Sequence, residues 1–463
     1  MWRFESTLST RNDVLPAFPL CCKHGKAKLP PRRDVPEFLK TLLEGDTPLA
    51  RHFRTNIRAY NGVFCFISLG GKVNHSINDG RGVYVYSIGG QIYHRIGCLV
   101  PGDGDSPKFA QLYIHDSDNE VQNRMDFYST DPAKNPLHQC IVEGLQHMFD
   151  DNNILVRTFR SARDRIQNSG VQELQLKLLA KREINSREYD LPSANEIAAL
   201  IVDETGEQSF SPDIIVQQKG SEMERISVYH PSLMALQYPI LFPYGEDGWH
   251  PCISYSHSSS NISVGDKMIT QCDFYAYCLQ TRLQESNSLL LSGKLFQQYM
   301  VNAFALIEAE RLDWMRTHQS KLRGHYYKNL LNSYLQGDSD IKLSGKPVIL
   351  AASHTGSPRY KYENFQDAMA ICKWIGYPDL FITFTCNSNW PEIQLMVDLI
   401  RRYSGKDPDR ADITARVFKI KLDEFMLEIR EKQIFGKINE CMCAYSFVIY
   451  LLMFIHYSLT SLN

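Results

Sequence analysis

The chain has 463 residues, 43% hydrophobic and 22% charged, which is ordinary globular composition with room for two to four domains at ~100–200 residues each. Its 50 Lys and Arg against 52 Asp and Glu give a net charge of −2, which excludes a uniformly basic nucleic-acid binder and leaves room for local basic patches. None of the 12 cysteines forms a Cys-x-x-Cys pair, the closest groupings being Cys21-Cys22 and Cys441-Met442-Cys443, so free thiols in a reducing compartment are expected. The sequons at Asn74 and Asn261 then carry no weight, and MWRFESTLSTRNDV lacks the apolar run of a secretory signal.

Residues 1–50 are rich in proline and charge and read as loosely structured. A β-rich unit is expected over 51–130. It opens with an amphipathic helix, RHFRTNIRAYN, placing Phe53, Ile57 and Tyr60 on one face and Arg51, Arg54 and Arg58 on a solvated one. In GVYVYSIGGQIYHRIGCLV two alternating runs flank Gly89-Gly90, a hairpin signal because glycine accepts the positive φ of a tight turn. PKFAQLYIHD reads as a further strand, and DSDNE at 116–120 lacks the glycine of a calcium loop.

Residues 131–255 read as mixed helical and irregular. NNILVRTFRSARDRI carries a helical stripe of Leu155, Phe159, Ala162 and Ile166, with Arg157, Arg160, Arg163 and Arg165 as a small basic patch best read as solvated. LPSANEIAALIV has capping-box spacing, Ser193 to Glu196, and predicts a helix, whereas PDIIVQQ predicts a strand. YHPSLMALQYPILFPYGEDGWHP is irregular, and residues 256–266, beginning SHSSSNIS, form the linker.

The 267–338 region is helical, with Phe296, Met300, Ala303, Ile307 and Trp314 at helical spacing. Residues 339–440 alternate: PVILAAS a strand, FQDAMAICKWIG a helix, PDLFITFT a strand of period two, and RVFKIKLDEFMLEIREKQIFG a helix with Phe418, Leu422, Phe425 and Ile429 on one side. The fold class is therefore α+β. Residues 441–463 are an apolar tail, whose 441–459 stretch is nearly long enough for a membrane anchor but is weakened for that role by Ser446, His456 and its tyrosines.

Taken in order, several segments resemble the Helitron helicase-like family, the Rep/helicase transposases of rolling-circle transposons. They are CCKHGKAKLP, FRTNIRAYNGVFCFISLG, GQIYHRIGCLVP, AQLYIHDSDNEVQNRM, VRTFRSARDRI, LPSANEIAALIV, LQYPILFPYGEDGWH, DFYAYCLQTRL, LFQQYMVNAFALIEAERLDWMRTHQSKLR and GYPDLFITFTCNSNWPEI, spanning about Phe18 to Ile438. The resemblance implies that PDLFITFT is the first strand of a Rep-like (HUH-type) nuclease sheet, central in it. Its neighbour should bear His-hydrophobe-His, two imidazoles on one face that hold a divalent metal, with a tyrosine further on as nucleophile. It also implies an ATP-driven helicase.

The residues depart from that pattern. None of the 14 histidines has another two positions away, and Ser388 stands where the family usually has proline. Gly-Lys occurs at 25, 71, 293, 345, 405 and 436, and in no case does the Ser or Thr of a phosphate-binding loop follow. The expectation is a truncated member without endonuclease or helicase centres: no catalytic residue, no metal ligand, and neither the divalent metal nor the ATP of full-length relatives. Cys386 reads as a small buried residue rather than a nucleophile.

What would remain is a surface for single-stranded DNA. Arg311, Arg316, Lys321, Arg323 and Lys328 cluster with Asp313 alone opposing them, and Tyr326 and Tyr327 lie among them. Cations meet phosphates and rings stack on bases; the same pattern also fits a solvated helix face. Asn387 and Trp390, after the strand, complete the candidates, with Trp390 equally able to plug a core. The expected partners are single-stranded DNA and an intact Helitron transposase, in the nucleus. The rival reading is a non-binding relic or a tail-anchored membrane protein. Sequencing the transcript across the Ile438 codon tests the truncation: a continuous frame into a His-x-His segment contradicts it.

Overall fold

The computed structural model of the protein describes residues 18–74, 76, 86–102, 104–115, 117–128, 135–169, 174–180, 198–202, 214–217, 223–255, 268–280, 282, 286–322, 348–387, 389–404, 410–446 and 450–457. Two compact units result, the first Met1–Ala305 with Ile400–Arg410, the second Leu306–Leu399 with Ala411–Asn463. Helices and antiparallel strands are mixed in the described residues, so the α+β class holds.

The first unit opens with α1 (Pro19–Cys22), α2 (Glu37–Glu44), α3 (Pro48–Thr55) and α4 (Ile57–Phe64). Thr47 starts α3 by accepting from the Ala50 amide at 3.1 Å, with Pro48 in the first turn. The single helix expected over RHFRTNIRAYN is instead broken at Asn56, whose side chain bonds back to the His52 carbonyl at 3.2 Å. The apolar stripe survives the break, because Phe53, Ile57 and Tyr60 are all buried. Helical turns also reach into the stretch before residue 50, where Leu39, Leu42 and Leu43 enter the core.

Two of the three arginines of this region are structural, whereas Arg51 makes an exposed pair with Asp46 at 3.4 Å. Arg54 donates to the carbonyls of Leu42, Leu43 and Gly45 at 3.2, 3.1 and 2.6 Å, satisfying acceptors that the end of α2 leaves open. Arg58 donates to Gln298 at 2.8 Å and lies over the Tyr86 ring.

β1 (Ser68–Val73) pairs with β2 (Ile88–Ile96), and β2 with β6 (Glu224–Arg225), in an antiparallel sheet. Gly89 and Gly90 are inside β2, not at a hairpin turn. Ladder pairing jumps from Gly70–Tyr93 to Lys72–Gly89, and Gly71 and Gly90 have φ of 125° and 90°. The glycines that signalled a turn absorb a bulge, where positive φ is equally needed.

PKFAQLYIHD is a 3₁₀ turn over Phe109–Tyr113 rather than a strand. The Gln111 side chain accepts from the Lys108 amide at 3.0 Å, a local bond that outcompetes a ladder.

Helices α5 (Glu120–Asp126), α6 (Gln139–Asn152) and α7 (Ile154–Ser169) follow. The predicted stripe of α7 is in place, with Leu155, Phe159 and Ala162 fully buried and Ile166 partly so.

Between these helices sits a buried ion cluster. The Arg124 guanidinium, fully buried, lies 4.4 Å from both the Phe64 and Tyr113 ring centroids. It donates to the Val63 carbonyl and to Glu120 Oε1, at 2.6 Å for Nη2 and 2.9 Å for Nε. Arg160 takes the other Glu120 oxygen at 2.7 Å and reaches Asp150 at 3.0 Å. Burial raises the Glu120 pKa, but the Arg124 and Arg160 charges and hydrogen bonds outweigh it and hold the carboxyl below its ordinary range.

Next come β3 (Leu174–Leu178), β4 (Ala198–Val202) and β5 (Ile214–Gln217), in the order β4-β3-β5. β5 was expected. β4 was not: its AALIV run was read as helix, yet all five residues pair with β3. Tertiary pairing overrides a helical spacing in so short a segment. Ser193 and Glu196 lie outside the described residues, as does the 256–266 linker.

The irregular Tyr229–Pro251 stretch contains α8 (Leu233–Gln237) and buries Met234, Tyr238, Ile240 and Trp249. Helices α9 (Gln271–Cys278), α10 (Ser288–Leu291) and α11 (Gly293–Thr317) follow, and of the predicted α11 stripe Phe296, Ala303 and Ile307 are buried, Met300 is partly buried and Trp314 is 47% exposed.

In the second unit are α12 (Pro358–Ile375), β7 (Leu380–Thr385), α13 (Pro391–Ser404), α14 (Ala411–Arg430), β8 (Ile438–Ser446) and β9 (Tyr450–Tyr457). The exposure of β7 alternates strictly. Leu380, Ile382 and Phe384 turn onto α14, packing with Phe418, Leu422, Phe425, Met426 and Ile429. The Phe384 ring stacks on Phe425 at 5.3 Å.

PVILAAS forms no strand in its described part. The Gln319 amide meets both ladder groups of Ile349, accepting from its N–H at 2.9 Å and donating to its carbonyl at 2.8 Å.

Two further corrections concern the sheet. β7 was expected at its centre, but among the described residues the order is β7-β9-β8, with β7 at an edge. The apolar tail supplies the partners: β9 pairs with β7 from Leu380–Ile455 to Thr385–Tyr450, and β8 pairs with β9. Among the described residues, no helix is long and apolar enough to cross a membrane.

Three outcomes are expected. Arg124→Ala removes one of the two cations that neutralise the buried Glu120 and should lower unfolding free energy by ~3–5 kcal/mol in urea titrations. The advantage of wild type over Glu120→Gln should be full above the unfolded carboxylate pKa, ~4.3, and vanish as pH falls through the lower folded value. Ending the chain at Ile438 removes the β7 partner and should abolish slow amide exchange in β7; unchanged exchange contradicts the pairing.

Candidate nucleic-acid interface

The C-terminal end of α11 presents the predicted cations. Trp314 and His318, one helical turn apart, stack with centroids at 4.5 Å and planes 10° apart. Trp314 is 47% exposed, so one face of an aromatic platform is open to solvent. The His318 amide donates to the Trp314 carbonyl at 3.0 Å, and Thr317 Oγ1 donates to the Asp313 carbonyl at 3.1 Å, which fix the last turn.

At the same end of α11, Arg316 and Lys321 are exposed. Arg316 lies in the last turn, where a cation also suits the helix dipole. Arg311 pairs with Glu308 at 2.6 Å, and Glu308 also lies 3.6 Å from His354 Nδ1. An exposed pair of this kind contributes ~0–1 kcal/mol, so phosphate can exchange for the carboxylate at little cost. Arg323, Tyr326, Tyr327 and Lys328 lie outside the described residues.

The other two candidates serve the fold of their own corner. Asn387 is exposed, yet its Oδ1 accepts from the Asn389 amide at 2.9 Å and its carbonyl from the Trp390 amide at 3.1 Å, closing the turn after β7. Trp390 is half-buried, its ring 5.9 Å from Phe384, with Lys421 Nζ 5.3 Å from its centroid. Lys421 also bonds Glu392 at 2.8 Å, and that hydrogen bond holds the Glu392 carboxyl below its usual range. Among the described residues, no hydrogen bond, ion pair or ring contact joins Asn387 or Trp390 to the α11 cations.

The outer face of β7 offers Phe381, Thr383 and Thr385, all exposed. Hydroxyls and a phenyl ring are poor ligands for the divalent metal that the resemblance to Rep-like nucleases implies, so this face does not fit one. Among the described residues, no group of three or more His, Cys, Asp or Glu is placed to hold a metal ion. Cys386 is half-buried, and burial raises its thiol pKa, the opposite of what a nucleophile needs.

Sequence reasoning missed the Trp314–His318 platform as a unit, although the i, i+4 spacing of two rings in WMRTH was the signal. It also missed exposed rings on α12, whose spacing was legible in KYENFQDAM.

The basic spacing of Arg157, Arg160 and Arg163 had suggested a solvated patch. Arg160 is instead part of the buried cluster, Arg157 donates to the Asp151 carbonyl, and Arg163 pairs with Asp164 at 2.8 Å.

Residues 274–448 match the family model described as the Helitron helicase-like domain at N-terminus. The match covers α11, α12, β7, α13, α14 and β8, and with them the platform and the strand from which the candidates were read. No curated protein matches the chain. This segment of the chain is thus similar to the Helitron helicase-like domain.

Proposed function

We propose that this is a transposon-derived protein whose Helitron helicase-like domain captures single-stranded DNA by cation and stacking contacts, without cutting or unwinding it. The observation that carries the reading is the half-exposed Trp314–His318 stack at the end of α11, the helix end that also carries the exposed Arg316 and Lys321. A flat ring accepts any base, and cations on the same helix end meet the flanking phosphates. On this reading the β7 sheet is an incomplete Rep-like (HUH-type) sheet kept as scaffold, the protein acts in the nucleus, and an intact Helitron transposase is its protein partner.

Two features support the absence of chemistry from the proposal. The outer face of β7 carries two threonines and a phenylalanine, and the sequence has no Gly-x-x-x-x-Gly-Lys followed by Ser or Thr. The membrane alternative is disfavoured because residues 441–446 and 450–457 lie in strands of the β7 sheet.

The full chain should bind oligothymidylate, with affinity falling on a log–log salt plot by ~0.7 for each phosphate contact. Arg316→Glu and Lys321→Glu should each weaken binding and flatten that slope. Trp314→Ala should cost ~1–3 kcal/mol with little change in slope, as lost stacking requires. No binding at low salt leaves the relic reading standing.

A further inference from the structure

The helix α12 has no buried residue along its length, which is unusual for 18 residues ending in an ordered cap. Tyr362, Phe365 and Met369, at i, i+3 and i+7, form an exposed stripe, with 64%, 56% and 51% of their surfaces open. Lys361 and Lys373 are exposed and flank that stripe in helical projection, whereas the acids Glu363 and Asp367 fall on the far side. Charge is thus segregated about this stripe, with lysines beside it and acids away from it; Trp374, 84% exposed, projects on the acidic side and is no part of the stripe.

The helix is firmly placed at its start. Ser357 Oγ accepts from the Tyr360 amide at 3.0 Å, and Arg359 donates to the Leu322 carbonyl at 3.2 Å, one residue beyond Lys321. The stripe therefore begins beside the cationic end of α11 and runs along a helix about 27 Å long. Past its end, Gly376 adopts φ of 104° and Tyr377 is 90% exposed.

We propose that this outer face of α12 is a second contact surface for the same single-stranded nucleic acid. Tyr362 and Phe365 stack on bases, and Lys361 and Lys373 pair with phosphates. The inference rests on the single-strand reading and extends it from one platform to a track. Charge complementarity selects the occupant: a polyanion with flat apolar bases matches rings bordered by lysines, and the acids that would repel it lie opposite.

The test uses the full chain and oligothymidylates of increasing length. Tyr362→Ala and Phe365→Ala should each weaken binding of the longer oligonucleotide by roughly fivefold or more, as loss of a stacked base does, and barely affect the shortest. Lys373→Gln should flatten its salt slope. Because the replaced side chains are exposed, circular dichroism should be unchanged.

If these variants bind as wild type while Trp314→Ala weakens binding, the α12 track is wrong and the α11 platform stands. If wild type binds no oligonucleotide, both readings fall. If the α12 changes alter only the sedimentation of the protein alone, the face is a protein interface and the proposal is overturned.

Discussion

Leu380, Ile382 and Phe384 meet Phe418, Leu422, Phe425 and Ile429 along one seam, and this one-sided burial governs the second unit. A strand of period two can hide only alternate residues. With Leu380, Ile382 and Phe384 committed to α14, Phe381, Thr383 and Thr385 must face outward. Truncating Leu422 or Ile429, both essentially inaccessible to solvent, would cost ~2–5 kcal/mol each. The seam is thus strong enough to leave the rest of the unit free for surface roles. Trp390 extends it at the strand end, under Lys421, which is why the most conspicuous aromatic of the motif serves packing.

The first unit is organised differently. Its centre is a buried charge cluster in which Arg124 is held between the Phe64 and Tyr113 rings and shares Glu120 with Arg160. Such a cluster survives burial only when nearly every donor and oxygen has a partner, so it ties α5, α6 and α7 to the end of α4. Arginines that read as solvated in the sequence are consumed by this framework or, like Arg54, by open helix carbonyls.

What the sequence disclosed follows from the range of the forces involved. Period-two alternation in PDLFITFT and the 3.6-residue stripes of α7, α11 and α14 report burial directly, and all four elements are present. Failures came where local signals have two meanings. Gly89-Gly90 satisfies a bulge as well as a turn, Gln111 closes a 3₁₀ turn within a strand-like run, and a single Gln319 side chain replaces the ladder of PVILAAS. AALIV and the apolar tail were misread because strand pairing is non-local: β4 is settled by β3, and β9 by β7, across many intervening residues. Of the site, cation positions were legible. Which arginines already had carboxylate or carbonyl partners was not.

The most direct examination of the account is photocrosslinking of oligothymidylate to the full chain at low and high salt, with the attached peptides identified by mass spectrometry. Salt-sensitive adducts within 314–321 and 361–377 would bear out an aromatic and cationic track in the second unit. Adducts confined to the first unit, or none at either salt concentration, would contradict it.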